Sequence, residues 1–225
     1  MDLLAEFTSH FGKPATIQVR APGRVNLLGE HVDYNDGVVL PAAIDRAVRL
    51  AAAPTPDGVV RLYAQDLQKS AEFRLDALEQ RLDLAGQPLP RWAAYPAGVA
   101  WALAEAGLIV SGMQVMYTSD VPIGAGLSSS AAVEVAFAAA WRALGGWEMD
   151  NLQLARLCQR AENGYVGVNS GLMDQFASAC GVEGHALYFD TRSLEGHPVA
   201  LPPGTAIVVA DSGMRRTLAT SAYNE

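Results

Sequence analysis

The stretch DVPIGAGLSSSAAVEVAFAAAWRALGG, from Asp120 to Gly146, is the most informative part of the sequence about the fold. It predicts a glycine-rich turn that leads directly into an alanine-rich helix. Gly124 and Gly126 lack the Cβ atoms that would hold a ligand away from the backbone, and both tolerate positive φ. The N–H groups of the first helical turn and the positive end of the helix dipole point into this turn. The stretch therefore predicts a phosphate site at the start of a helix.

Other interpretations of this turn are weaker. The P-loop pattern requires a Lys and a Ser or Thr after the last glycine, and the dinucleotide fingerprint requires a third glycine, so the spacing excludes both. Glycine-rich turns and serine caps also begin many helices that bind no ligand. Three consecutive serines, Ser128, Ser129 and Ser130, are poor formers of a first helical turn unless a site uses them. We therefore favour phosphate binding.

The bulk composition is that of a globular protein that binds a small molecule. The 225 residues are 50% hydrophobic, and a net charge of −8 with 16 Lys and Arg gives no reason to expect nucleic acid or an anionic membrane as a partner. The N-terminal segment predicts an amphipathic helix, and the apolar run 131–141 is too short to span a bilayer. Cys158 and Cys180 form neither a metal cluster nor a disulfide framework, so we predict buried free thiols and a cytoplasmic location.

Periodicity along the chain predicts a mixed α and β fold in a single domain, residues 1–225. The turn PTPDG, residues 54–58, predicts an antiparallel hairpin between its flanking strands. Pro96 is expected in the first turn of its helix, or at a kink. The predicted helices cover the N-terminal segment and residues 91–107, 129–146, 150–163, 173–180 and the start of 215–225; the predicted strands cover 16–20, 46–53, 58–65, 112–119, 184–190 and 205–211.

A charged loop follows the first predicted strand. The segment GRVNLLGEHVDYNDG, residues 23–37, concentrates six hydrogen-bonding or charged side chains within twelve positions. Carboxylates that accept from sugar hydroxyls, beside an arginine that donates, could surround a polyol and orient one hydroxyl for attack. A solvated loop held by local Asx turns explains the same composition, and this loop alone does not decide between them. The side chains are those of Arg24, Asn26, Glu30, His31, Asp33 and Asn35.

Two carboxylates further along the chain are candidate functional residues. Asp174, in NSGLMDQF, follows a flexible turn and stands among apolar residues, so it is expected partly desolvated at a helix start, where an ordinary capping role is the alternative. Glu162, in CQRAENGY, is expected at the end of the preceding helix, where its charge opposes the helix dipole. A divalent cation would compensate that charge.

Together these segments resemble galactokinases, sugar kinases of the GHMP superfamily. The segment GRVNLLGEHVDYNDGVVLPAAI is similar to the family's sugar-binding signature and VPIGAGLSSSAA to the GHMP nucleotide motif. AENGYVGVNSGLMDQF, GHALYFDTRSLE and RRTLATSAYNE are similar to later family segments, in the same order. The resemblance implies an α+β fold with a mixed sheet and packed helices, like domain 2 of ribosomal protein S5.

The resemblance also implies a reaction and a set of site residues. The expected enzyme transfers the ATP γ-phosphoryl group to the C1 hydroxyl of α-D-galactose, with Mg²⁺ as cofactor, and is a monomer when complete. Asp174 and Arg24 are the expected catalytic residues. The resemblance assigns sugar binding to Arg24, Glu30, His31, Asp33, Gly171, Asp174 and Tyr223, nucleotide binding to Gly124, Ala125, Gly126, Leu127, Ser128, Ser129, Ser130 and Trp92, and metal binding to Ser130 and Glu162.

Three further expectations follow from the resemblance. Family chains continue for well over a hundred residues beyond this sequence, so the chain is expected to be an N-terminal portion whose last ~20 residues begin the connection to a second lobe. Changes in a few pocket residues would give a kinase for another sugar, such as N-acetylgalactosamine or arabinose. A non-catalytic sensor of galactose and ATP is the alternative outside enzymes.

Overall fold

The computed structural model of the protein describes residues 2–210. Five strands form the larger sheet: β1 (Ile17–Asn26), β3 (Pro41–Thr55), β6 (Gly112–Ser119), β4 (Val59–Ala64) and β5 (Lys69–Arg74), in that spatial order. All neighbours in this sheet are antiparallel except β4 and β6, which are parallel. A smaller antiparallel sheet contains β2 (Val38–Val39), β7 (His185–Asp190) and β8 (Glu195–Ala200). The predicted mixed sheet is confirmed.

Helices cover both faces of the larger sheet. They are α1 (Leu3–Phe11), α2 (Arg91–Glu105), α3 (Ser129–Gly145), α4 (Asn151–Arg160) and α5 (Met173–Cys180), with a π-helical turn at Ala161–Val166 and short 3₁₀ helices at Gln65–Leu67 and Leu75–Gln80. No helix within residues 2–210 is long and apolar enough to cross a membrane.

The two faces of strand β3 pack against two different hydrophobic clusters. Because side chains alternate along a strand, Val48 and Leu50 face the main core under α2 and α3, whereas Ala51 faces Phe7 of α1 on the other side. The small side chains of α3 bring that helix close to the sheet, with Trp141 fully buried at its C-terminal end. Helix α3 thereby packs against strands β1 and β3.

The predicted hairpin at residues 54–58 is wrong. Strands β3 and β4 do not pair, because β6 lies between them: Met113 of β6 is opposite Pro54 on one side and Val60 on the other. Five of the eight residues of β6 are buried, and a strand buried to this extent gains most from a central position in the sheet.

Three other expectations are corrected. The turn-forming residues Pro22 and Gly23 lie within β1, at a register shift against β3, so the charged loop begins only after Asn26. Pro96 lies in the second turn of α2 rather than the first, so a kink is the alternative that stays a prediction. Residues 205–210 form no strand, and the predicted helix at 215–225 lies outside the described residues.

Candidate functional site

The glycine-rich turn of residues 124–128, called the phosphate turn below, is in direct contact with strand β1. A Cβ atom at Gly23 would lie 2.7 Å from the Leu127 carbonyl oxygen, so only glycine allows the turn to approach the strand this closely. The Arg24 N–H then donates to the Leu127 carbonyl at 3.2 Å, and Arg24 Nη1 donates to the Gly126 carbonyl at 2.6 Å. Arg24 is thereby fixed beside the predicted phosphate site.

The Arg24 guanidinium also binds Asp174. Arg24 Nε donates to Asp174 Oδ1 at 2.7 Å, and Nη2 lies 2.6 Å from the same oxygen. The side chains are 12% and 26% exposed, so this charge-assisted pair is only partly screened by solvent. Asp174 lies in the first turn of α5, as the sequence predicts. It does not cap the helix with this side chain, because both oxygens are engaged with other elements.

Ser128 holds the second oxygen of Asp174. Its hydroxyl donates to Asp174 Oδ2 at 2.5 Å. Ser128 is the residue that precedes α3, yet its side chain makes no capping hydrogen bond and its backbone has φ of 58°. The left-handed conformation directs the hydroxyl away from the helix and towards α5. The sequence predicts Ser128 only as a phosphate contact, because no local pattern links it to a residue 46 positions later.

The phosphate turn has the geometry of an anion site. Gly124 and Gly126 have φ of 70° and 75°, as their predicted freedom requires. The first intrahelical bond of α3 runs from the Ala132 N–H to the Ser128 carbonyl, so the N–H groups of residues 129–131 have no acceptor within the helix. Ala125 and Leu127 complete the turn between the glycines and the serines. An oxyanion placed here would meet N–H donors and the helix dipole together.

Asp33 is a partly buried carboxylate of the charged loop. Gly171 lies directly against the Asp33 carboxylate, at a distance that leaves no room for a Cβ atom. Burial raises the pKa of Asp33, and the neighbouring negative charge of Asp174 adds to the rise, whereas Arg24 and a Met173 backbone hydrogen bond oppose it. The fold thus brings Asp33 of the charged loop next to Gly171 and close to Asp174 of α5.

The charged loop and the end of β1 each contain a buried acceptor that lacks a partner among residues 2–210. Asp33 Oδ1 and Asn26 Oδ1 are buried and accept no hydrogen bond from the residues the structure describes. The Asn26 amide donates to Glu30 Oε1 at 3.1 Å, and His31 Nδ1 lies 2.9 Å from the Tyr34 hydroxyl, with Glu30 and His31 both exposed. Buried acceptors without partners are costly unless a ligand satisfies them. A polyhydroxy compound, rich in O–H donors, fits this loop.

Glu162 lies in the π-helical turn after α4, and its carboxylate is almost completely buried. The Ser170 hydroxyl donates to Glu162 Oε2 at 2.6 Å, and the Gln175 amide donates to the same oxygen at 2.8 Å. Ser130 is also within hydrogen-bonding reach. Burial raises the pKa of Glu162, whereas these hydrogen bonds oppose the rise. No Arg or Lys among residues 2–210 pairs with Glu162, so its charge is balanced by neutral donors alone.

The donor set at Ser130 and Glu162 suits Mg²⁺ in chemistry. Both are oxygen ligands, which this ion prefers, and Mg²⁺ commonly takes one or two protein ligands and completes its shell with phosphate oxygens and water. No cluster of three or more His, Cys, Asp or Glu side chains that could hold a metal occurs in the described part of the chain. The residues therefore fit a nucleotide-bound ion better than a cage made by protein alone.

Two sequence-predicted residues are not brought into this group. Trp92, on α2, is partly buried and lies 6.5 Å from the Tyr117 ring, between centroids. Its neighbours Arg91 and Ala94 line a cavity of about 360 Å³, which Trp92 does not line. Its adenine contact stays a prediction. Tyr223 lies outside the described residues.

Two family models match this chain. The galactokinase galactose-binding signature matches residues 5–54, and the GHMP kinases N terminal domain matches residues 94–182. A galactokinase of Roseiflexus sp. (strain RS-1) is 48% identical over 224 residues, which are 100% of this chain and 56% of that protein. The chain thus spans about half the length of the curated relatives it matches.

Solved structures show the same fold. The crystal structure of Lactococcus lactis galactokinase complexed with galactose superposes with a TM-score of 0.80 at 33% identity, over 89% of this chain and 51% of that one. Mevalonate kinase of Methanococcus jannaschii superposes with a TM-score of 0.64 at 19% identity, over 81% and 55% of the two chains, which shows a shared fold alone.

Proposed function

We propose that this chain is the N-terminal portion of a galactokinase and that the complete gene product phosphorylates galactose at C1. The galactose-binding signature and the GHMP kinases N terminal domain both match the chain, and a galactokinase is 48% identical over 224 residues, which supports the proposal. ATP is the phosphoryl donor, and the products are α-D-galactose 1-phosphate and ADP. We further propose a cytoplasmic monomer, in keeping with two free cysteines.

One observation carries the proposal: Asp174, Arg24 and the phosphate turn form a single hydrogen-bonded group beside two buried acceptors, Asn26 Oδ1 and Asp33 Oδ1, that lack partners among residues 2–210. A sugar bound by Asp33 and Asn26 would therefore lie next to a carboxylate, with a phosphate site on the other side of that carboxylate. An acceptor hydroxyl, a base and an anion site in this order are what phosphoryl transfer to a sugar requires.

In the proposed mechanism, Asp174 orients the C1 hydroxyl and accepts its proton. Arg24 holds Asp174 in place and stabilises negative charge as it develops on the attacking oxygen and the γ-phosphoryl group. Because phosphoryl transfer depends mainly on positioning and charge stabilisation, base catalysis supplies only about 10²- to 10⁴-fold of the acceleration.

The phosphate turn binds and orients the nucleotide. The N–H groups at residues 129–131 and the α3 dipole hold the phosphate oxygens in line with the sugar hydroxyl. Ser128 has two successive partners in this proposal: Asp174 in the free protein and a phosphate oxygen in the complex. Bound Mg²⁺, held by Ser130 and Glu162, would neutralise charge on the β- and γ-oxygens.

The sugar assignment rests on the loop. Discrimination against the C4 epimer, glucose, requires a buried group that would lose its hydrogen bond with the wrong sugar. Asp33, with its buried Oδ1, is the described residue best suited to this role, and Tyr223 is a second candidate by resemblance.

The test is ADP release by the complete gene product with galactose, glucose and N-acetylgalactosamine. We expect turnover with galactose at a kcat/KM at least about 10²-fold above glucose. Preferential turnover of N-acetylgalactosamine or arabinose would replace galactose by another sugar. Binding of galactose and ATP without ADP release would instead support a sensor and contradict the proposal.

A further inference from the structure

Glu134 is a buried carboxylic acid to which the proposed mechanism gives no role. It lies on α3, four residues after Ser130, and is completely inaccessible to solvent. Residues four apart on a helix share a face, so Glu134 lies one turn below Ser130, towards the protein interior. Burial raises its pKa, and the Glu162 charge adds to the rise.

Gln175 connects Glu134 to Glu162. Its amide nitrogen donates to Glu134 Oε2 at 3.0 Å and to Glu162 Oε2 at 2.8 Å. Since both partners accept hydrogen bonds and the amide nitrogen carries two hydrogens, the orientation of the amide is determined by its two acceptors. Removal of either acceptor would leave the amide free to turn.

The arrangement is costly for a purely structural role. Glu134 Oε1 and Gln175 Oε1 are both buried and have no partner among the described residues. A leucine at position 134 would fill the same space without two unsatisfied polar atoms. The cost indicates that the polar connection does something that an apolar core would not.

We propose that Glu134 is a positioning residue for the metal-binding carboxylate: through Gln175 it fixes Oε2 of Glu162 and keeps that side chain aimed at Ser130 and the nucleotide-bound cation. The inference rests on the proposed function and adds to it a residue that makes no contact with substrate or metal. Hydrogen bonds that orient a metal ligand from behind commonly change metal affinity by about 10- to 100-fold.

The proposal can be tested with Mn²⁺ in place of Mg²⁺. In the complete gene product, Glu134→Leu should weaken Mn²⁺·ADP binding by about 10-fold, measured by electron paramagnetic resonance, while binding of metal-free ADP stays unchanged. Glu134→Gln keeps an oxygen acceptor for Gln175 and adds a donor for Gln175 Oε1. This conservative variant should bind Mn²⁺·ADP within about 3-fold of the wild type.

Two further variants separate positioning from stability. Val135→Ala removes buried volume from the next position of α3 and should lower Tm without changing Mn²⁺·ADP affinity. The double variant Glu134→Leu/Gln175→Leu removes both ends of the hydrogen bond, so it should fold even where Glu134→Leu does not. It should show the same loss of metal affinity.

The outcomes distinguish this inference from the proposed function. Wild-type Mn²⁺·ADP affinity in Glu134→Leu or in the double variant overturns the positioning role and leaves the kinase proposal intact. An equal loss in Val135→Ala would also overturn it, since the effect would then follow stability alone. A wild-type protein that does not bind Mn²⁺·ADP would overturn both.

Discussion

The Arg24 guanidinium places two nitrogens, Nε at 2.7 Å and Nη2 at 2.6 Å, on a single oxygen of Asp174. The third nitrogen, Nη1, donates to the Gly126 carbonyl of the phosphate turn. One side chain therefore joins strand β1, helix α5 and the turn before α3. Any displacement of Arg24 therefore affects the proposed base, Asp174, and the proposed phosphate site together.

Replacement of Arg24 by lysine should separate charge from geometry. Lysine keeps the positive charge but has one nitrogen, so it cannot contact Asp174 and the Gly126 carbonyl in the same way. We expect kcat of the complete gene product to fall by about 10²- to 10³-fold, as on loss of one oriented charge-stabilising donor. Steady-state ADP release with galactose measures this. The matched control is Arg20→Lys, on the same strand. Among residues 2–210, the Arg20 side chain is hydrogen-bonded only to the Asp45 carbonyl, so this variant should keep wild-type kcat.

Replacement of Asp174 by asparagine removes the proposed base and keeps its shape. Asparagine cannot accept the sugar proton as a carboxylate does, so kcat should fall by about 10²- to 10⁴-fold. ADP binding, measured by isothermal titration calorimetry, should change less than about 3-fold, because the N–H groups at residues 129–131 remain. Turnover within a few-fold of wild type would remove Asp174 from the role of base.

Local elements of the fold could be predicted because local sequence determines them. Helix α5 occupies residues 173–180 and strand β6 residues 112–119, as the periodicity predicts. The position of β6 between β3 and β4 could not be predicted, since strand order depends on contacts between distant segments. Proline and glycine at 22–23 indicate a loop by composition, yet here they accommodate the phosphate turn inside a strand.

The candidate site also has a part that the sequence predicts and a part that it does not predict. The glycine-rich turn, the charged loop and Asp174 were identified from residue types, and the structure brings them together. The bond from Ser128 to Asp174 and the link from Glu134 through Gln175 to Glu162 were missed. A glutamate within an otherwise apolar helix face was the available signal for Glu134, because a buried charge seldom occurs without a polar partner.

Gly171→Ala should disturb the sugar site without touching the nucleotide. A Cβ atom at position 171 would collide with the Asp33 carboxylate and lie 2.9 Å from the Asp33 carbonyl carbon. We expect KM for galactose to rise about 10-fold or more as Asp33 is displaced, with KM for ATP nearly unchanged. Thermal unfolding should show a lower Tm. The double variant Gly171→Ala/Asp33→Ala should recover part of that Tm, since it removes the side-chain collision but not the backbone contact; no recovery would contradict the steric explanation.

Asp33→Asn should stabilise the unliganded protein, and more so as pH rises. The folded-state pKa of Asp33 is raised above 3.8 by burial, so folding favours its protonated form. The stability that Asp33 contributes is fully present below the unfolded pKa and is lost as pH rises through the folded pKa. Asparagine is uncharged throughout, so the Tm difference between variant and wild type should be small near pH 4 and positive at pH 7. Each 1 kcal/mol shifts Tm by about 2–4 °C in a domain of this size, which differential scanning calorimetry resolves.

The control for this pH dependence is Asp45→Asn, because the Asp45 side chain is 94% exposed. Its Tm difference from wild type at pH 7 should be smaller than that of Asp33→Asn, because substitutions of exposed side chains usually change stability by less than about 0.5 kcal/mol. With galactose present, the Tm difference between Asp33→Asn and wild type should become negative. The bound sugar would donate hydrogen bonds to both oxygens of the Asp33 carboxylate, whereas asparagine has only one oxygen to accept them. A Tm difference for Asp33→Asn that does not grow between pH 4 and pH 7 would show that Asp33 ionises in the folded protein without cost, and the partner-lacking oxygen would then no longer indicate a ligand.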